Sequence, residues 1–105
     1  MEQNIRITCQ DTSMEAREAL KQAFCMINEK FPNSYAKYDT VIGQKNNIIT
    51  EIIVPAIALG VSANVIYDII KFAAKRIWSN AKNKKTIRLI IHSVDEGDIV
   101  VEINE

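Results

Sequence analysis

The chain has 105 residues, enough for one domain with one core, and its 48% hydrophobic and 25% charged residues with only three Gly and two Pro exclude a disordered or fibrous chain. Thirteen basic residues balance thirteen acidic ones and the pI is near 6.6, so no overall field steers the molecule toward nucleic acid or an acidic membrane. The start, Met1 to Arg6, has neither the basic opening nor the apolar run of a secretory signal, which points to the cytoplasm.

Residues 1–105 are expected to form a single α+β domain, complete in itself. Asn4–Gln10 reads as a strand, because Ile5, Ile7 and Cys9 alternate with Arg6 and Thr8. A helix-start signal follows: Thr12 precedes Glu15 by the capping-box interval, with Asp11 and Ser13 as alternative caps. Ala16, Leu20, Ala23, Phe24, Ile27 and Phe31 then recur at helical spacing, and Pro32 ends the helix. Tyr35–Ile42 alternates again as a second strand, and 43–47 is a polar loop.

Ile48–Trp78 is the most apolar part of the chain. Its first half, up to Leu59, is apolar nearly all round and predicts a buried helix. Pro55 and Gly60 predict a kink or a break before Ser62 caps a second helical stretch. There Val65, Ile66, Ile69, Ile70, Ala73 and Ile77 form the inward stripe. After a polar connector at Ser79–Lys85, Thr86–Ser93 and Ile99–Ile103 read as a hairpin whose connection contains Gly97. Its inner face is Ile87, Leu89, Ile91, Ile99, Val101 and Ile103, and its outer face is mixed. The expected architecture is β-α-β-α-β-β, with the second helix kinked or split and the helices packed on one face of a small four-stranded sheet.

No reactive motif emerges from the residues. His92, the sole histidine, has no Cys or Asp at a spacing that announces a triad, and reads as a partly exposed sheet residue. One His and two Cys in unrelated elements cannot supply a zinc site unaided. Gly43, Gly60 and Gly97 are too scattered to cradle a phosphate, which excludes a nucleotide hydrolase, and Asp95, Glu96 and Asp98 read as a solvated hairpin tip. The expectation is a protein that is not an enzyme and uses neither cofactor nor metal. Cys9 and Cys25 read as two reduced thiols in the interior or at its edge; a disulfide between strand and helix stays open but is geometrically demanding.

Charge is lopsided. Lys71, Lys75, Arg76, Lys82, Lys84, Lys85 and Arg88 occupy one stretch without an acidic residue, while Asp95, Glu96, Asp98, Glu102 and Glu105 crowd the tail. Trp78 near the centre of the basic stretch could meet phosphates or an acidic partner, but no helix-turn-helix or aromatic RNA-binding signature accompanies it, so specific nucleic-acid recognition is not expected.

Three segments carry a resemblance: the opening Ile5-Arg6-Ile7-Thr8 strand, the apolar segment closing in Ile69-Ile70-Lys71-Phe72-Ala73-Ala74-Lys75-Arg76-Ile77-Trp78, and the hairpin from Arg88-Leu89-Ile90-Ile91 to Ile99-Val100-Val101-Glu102. Together they resemble small bacterial α+β accessory domains of conflict systems, the effector-associated constant component type. The resemblance implies a non-enzymatic partner of an effector or protease-like protein, and it supplies no functional residues.

The leading expectation is a non-catalytic protein–protein interaction module, an accessory or immunity component of a bacterial defence or toxin system. Its partner surface is Tyr67, Lys71, Lys75 and Trp78, which recur at helical spacing beside the core stripe. The partner class is another protein, an effector, toxin or protease-like one, with a second copy of the chain as a further candidate. The alternative is a membrane-active protein that inserts Ile48–Ile70, with Lys71, Lys75, Arg76 and Trp78 at the headgroups.

Overall fold

The computed structural model describes residues 4–9, 13–32, 36–42, 48–55, 61–93 and 97–104. Five strands and two helices follow in the order β1 (Ile5–Cys9), α1 (Met14–Lys30), β2 (Lys37–Ile42), β3 (Ile48–Val54), α2 (Ala63–Asn80), β4 (Ile87–Ser93) and β5 (Gly97–Ile103). The strands form one antiparallel sheet in the order β2-β3-β1-β4-β5. Up to β4 this is a split β-α-β arrangement, in which β3 and β4 flank β1, and β5 extends it by a hairpin.

The largest departure from the sequence-based expectation is Ile48–Val54, which is not the first half of a helix but strand β3, making five strands where four were expected. Ile-Ile-Thr-Glu-Ile-Ile-Val is β-branched at every position except Glu51, and such side chains lose rotamer freedom in a helix but pack well on a pleated surface. Apolar residues fall on both faces of β3, with Ile52 and Val54 opposite Ile7 and Ile5 on the core side and Ile53 opposite Arg6 on the other, so the clear alternation of a half-wet strand is missing and a short apolar run then looks the same in either conformation. The continuous apolar helix on which insertion of Ile48–Ile70 depended is therefore not formed. No helix among the described residues is long and apolar enough to cross a membrane. Gly60, the expected break, lies outside the described residues.

Smaller differences are local. Ser13 rather than Thr12 caps α1, its hydroxyl oxygen accepting from the Ala16 N–H at 3.2 Å; Asp11 and Thr12 lie outside the described residues. Ser62 caps α2 as expected, accepting from the Val65 N–H at 3.3 Å. That helix runs to Asn80, two residues beyond the expected end. The first strand begins at Ile5 rather than Asn4 and the second excludes Ala36; Gln10 and Tyr35 lie outside the described residues. The β4–β5 hairpin pairs Ser93 with Gly97, whose φ of +74° is the left-handed conformation that glycine adopts without strain. Residues 94–96, which include Asp95 and Glu96, lie outside the described residues.

One core forms where both helices meet one face of the sheet. Ile7 stands opposite Ile52 on β3 and Ile91 on β4, and all three are fully buried. Above them sit Ala16, Ala19, Leu20, Ala23 and Ile27 of α1, and Ile66, Ile69, Ile70, Ala73 and Ala74 of α2. Each fully buried Ile or Leu contributes about 1.5–3 kcal/mol relative to exposure. The small residues let the helices approach: α1 packs on β1 to β4, and α2 packs on α1, β4 and β5. Among the described residues no helix lies on the other face of the sheet.

Candidate interaction surface

Tyr67, Lys71, Lys75 and Trp78 all lie on α2, spaced so that a 3.6-residue turn sets them on one flank. Arg76 projects from nearly the opposite side, where it lines a groove of about 320 Å³ with Glu18, Lys21 and Cys25 of α1. The strip consequently faces away from α1, toward the β5 side of the sheet. Its residues are graded: Lys75 is exposed, whereas Tyr67, Lys71 and Trp78 are half-buried and the two rings pack against the core.

A lysine covers each aromatic ring. Lys71 Nζ lies 5.6 Å from the Tyr67 ring centroid and Lys84 Nζ lies 5.0 Å from that of Trp78, within cation–π range. Lys84 also donates to the Trp78 carbonyl at 2.9 Å and to the Ser79 carbonyl at 2.5 Å. Both carbonyls lie in the last turn, at the negative end of the helix dipole; that of Trp78 also accepts the C-cap Ala81 N–H at 3.2 Å, and α2 has no basic residue of its own in its last turn. The connector thus returns a cation to close the helix and extend the strip. The Trp78 indole N–H is buried with no acceptor, the one such side-chain atom among the described residues. An unmet donor of this kind costs about 1–3 kcal/mol.

The expected basic patch does not stay together. Lys71, Lys75 and Lys84 fall at or near the strip, Arg76 turns into the interhelical groove, and Arg88 lies on the open sheet face opposite Glu102. Phe72, which the inward stripe does not include, is 56% exposed on α2. Cys9 is buried and Cys25 is exposed with no disulfide between them, so the expectation of two interior or near-interior thiols holds for Cys9 alone.

The open face holds a second polar constellation that spacing alone did not reveal. Register places Arg6 beside His92, Thr8 beside Glu51 and His92 beside Asp98. His92 Nε2 lies 2.9 Å from Thr8 Oγ1 and its Nδ1 lies 3.0 Å from Asp98 Oδ1, while Arg6 donates to Glu51 at 2.7 Å. Thr8 and Glu51 are buried although no helix covers them, because the longer side chains around them close over the centre of the sheet. A hydroxyl, an imidazole and a carboxylate stand in the order of a nucleophile, a base and its orienting group, but acyl transfer also needs donors for the developing oxyanion. Thr8 sits mid-strand, paired on both sides by β3 and β4, whose ladders occupy the neighbouring main-chain groups. Among the described residues no three His, Cys, Asp or Glu side chains gather as metal ligands.

No protein-family model, curated protein or solved structure significantly matches this chain.

Proposed function

We propose that the protein is a non-catalytic interaction module that holds another protein through Tyr67, Lys71, Lys75 and Trp78 of α2. The observation that carries this reading is the strip itself: two aromatic rings, each under a lysine, on the flank of α2 that no other helix covers. Aromatic side chains that bring large contact area at low entropic cost, beside cations that select an acidic partner, are the composition of binding hot spots. The resemblance in the sequence adds the partner class, an effector, toxin or protease-like protein of a bacterial defence system, with this chain as its cytoplasmic accessory or immunity component. The Thr8–His92–Asp98 row acts in this reading as a structural tie between β1, β4 and β5, Thr8 itself being held mid-strand by the ladders to β3 and β4.

Affinity capture from the source cell tests the reading. Lys75→Ala with Trp78→Phe removes a charge and the indole while keeping an apolar ring against the core. The expected result is loss of a specific co-purifying protein with the circular dichroism spectrum and melting temperature preserved. Undiminished capture by this double variant would overturn the assignment of the surface.

A further inference from the structure

β5 is the outermost strand on the α2 side of the sheet, paired with β4 along one edge and with no described residue along the other. An uncovered edge presents a row of unpaired N–H and C=O groups, a template for one more strand. Gly97–Ile103 is seven residues long and contains neither proline nor lysine, and its two charges, Asp98 and Glu102, both stand on the open face, leaving the helix-side positions Ile99, Val101 and Ile103 uncharged. α2 packs on β4 and β5, and its flank away from α1, which carries Tyr67, Lys71 and Trp78 and is joined by Lys84, borders the side of this edge, while Lys75 points outward. A strand added to β5 would point alternate side chains to the two faces of the sheet. On the helix side the nearest charged groups are the ammonium groups of the α2 flank; on the open side lie the exposed Asp98, Val100 and Glu102 of β5.

Building on the interaction-module reading, we propose that the partner contributes an extended segment that adds to β5 as a sixth strand. Its acidic side chains alternate under Lys71, Lys75 and Lys84, and neutral or basic ones take the positions between. This is strand addition with side-chain selection, a recognition mode in which main-chain bonds give affinity and alternate positions give specificity. A second copy of the chain fits poorly. Antiparallel pairing of β5 with β5 sets Asp98 and Glu102 of both copies on one face, and the helix-side residues Ile99, Val101 and Ile103 bring no carboxylate to the lysines.

Titration of the full chain by amide NMR tests this with three ten-residue peptides: alternating Glu and Thr, alternating Lys and Thr, and a fully N-methylated Glu/Thr peptide of equal charge with no main-chain donors. The Glu/Thr peptide is expected to shift the amides of residues 97–103 and the Trp78 indole signal. The other two peptides, and the Lys71→Glu/Lys75→Glu variant with the first, are expected to bind at least about tenfold more weakly. Equal binding of the N-methylated peptide would reduce the effect to charge alone and overturn the proposal. So would shifts confined to the other edge strand, β2, no shift at millimolar peptide, or a concentration-dependent dimer that occupies β5. If a cellular partner is captured and then lost by Lys75→Ala/Trp78→Phe, yet amides 97–103 gain no exchange protection in the complex, strand addition fails while the interaction module stands.

Discussion

Arg6 and Ile7 are consecutive residues of one strand that enter different environments. Ile7 points under two helices into a layer of aliphatic side chains, whereas Arg6 points to a face with no helix, where its half-exposed guanidinium closes over the carboxylate of Glu51. The covered face is held by area removed from water, which is non-directional and nearly insensitive to salt. The open face is held by specific pairs, Arg6 with Glu51 and His92 with Thr8 and Asp98, whose strength depends on geometry and screening. One sheet therefore shows that burial does not require a second layer. Thr8 and Glu51 reach core-like exposure because polar neighbours roof them, and they then depend on those neighbours for hydrogen bonds.

The sharpest contrast comes from truncating each of the two neighbours. Ile7→Ala leaves a cavity between Ile52 and Ile91 and is expected to cost about 2–5 kcal/mol in urea unfolding, with little dependence on salt. Arg6→Ala leaves a carboxylate that is only 10% exposed without its donor, with an expected cost of about 1–3 kcal/mol that changes with ionic strength. An equal, salt-independent cost for both would erase the distinction between the faces. The smallest effect lies at the margin of the covered face, where the Tyr38 ring packs tilted at 44° against Phe24, centroids 5.6 Å apart. Burial, reinforced by nearby Cys9, pushes its phenol above the ordinary 10.0, Arg17 opposes this and Glu18 adds to it. A raised acid pKa favours the neutral native form, so as pH climbs past 10.0 the unfolded chain ionises first and stability falls. Below that pH the term vanishes. Tyr38→Phe is expected to flatten the alkaline limb of a stability–pH curve, and an unchanged limb would place the cause elsewhere.

Strands that bury one face were legible in the residues. Ile5, Ile7 and Cys9, and the two inner rows of the hairpin, alternate and lie on the core side. β3 was not, because Ile53 on the open face and Thr50 on the core face blur its alternation; its β-branched run followed by Pro55 was the signal that favours a strand. The α2 cap was legible from Ser62 alone, whereas three adjacent cap-forming residues before α1 left the choice among them to the tertiary structure. The strip on α2 follows from helical spacing. Lys84 over Trp78 and the free side of β5 do not, since one depends on how a connector turns back and the other on strand order. The bond between His92 and Asp98 follows from hairpin register once Gly97 is placed at the turn.

A single capture experiment on three proteins, all held at a temperature where each is folded, bears most directly on the division of labour between the two regions. Wild type, the strip variant Lys75→Ala/Trp78→Phe and the open-face variant Arg6→Ala are compared for recovered partner and for melting temperature. The expected pattern is crossed: the strip variant keeps its melting temperature and loses the partner, while the open-face variant melts earlier and keeps it. Loss of the partner by folded Arg6→Ala, with full capture by the strip variant, would move the binding surface to the open sheet face and contradict the proposed function.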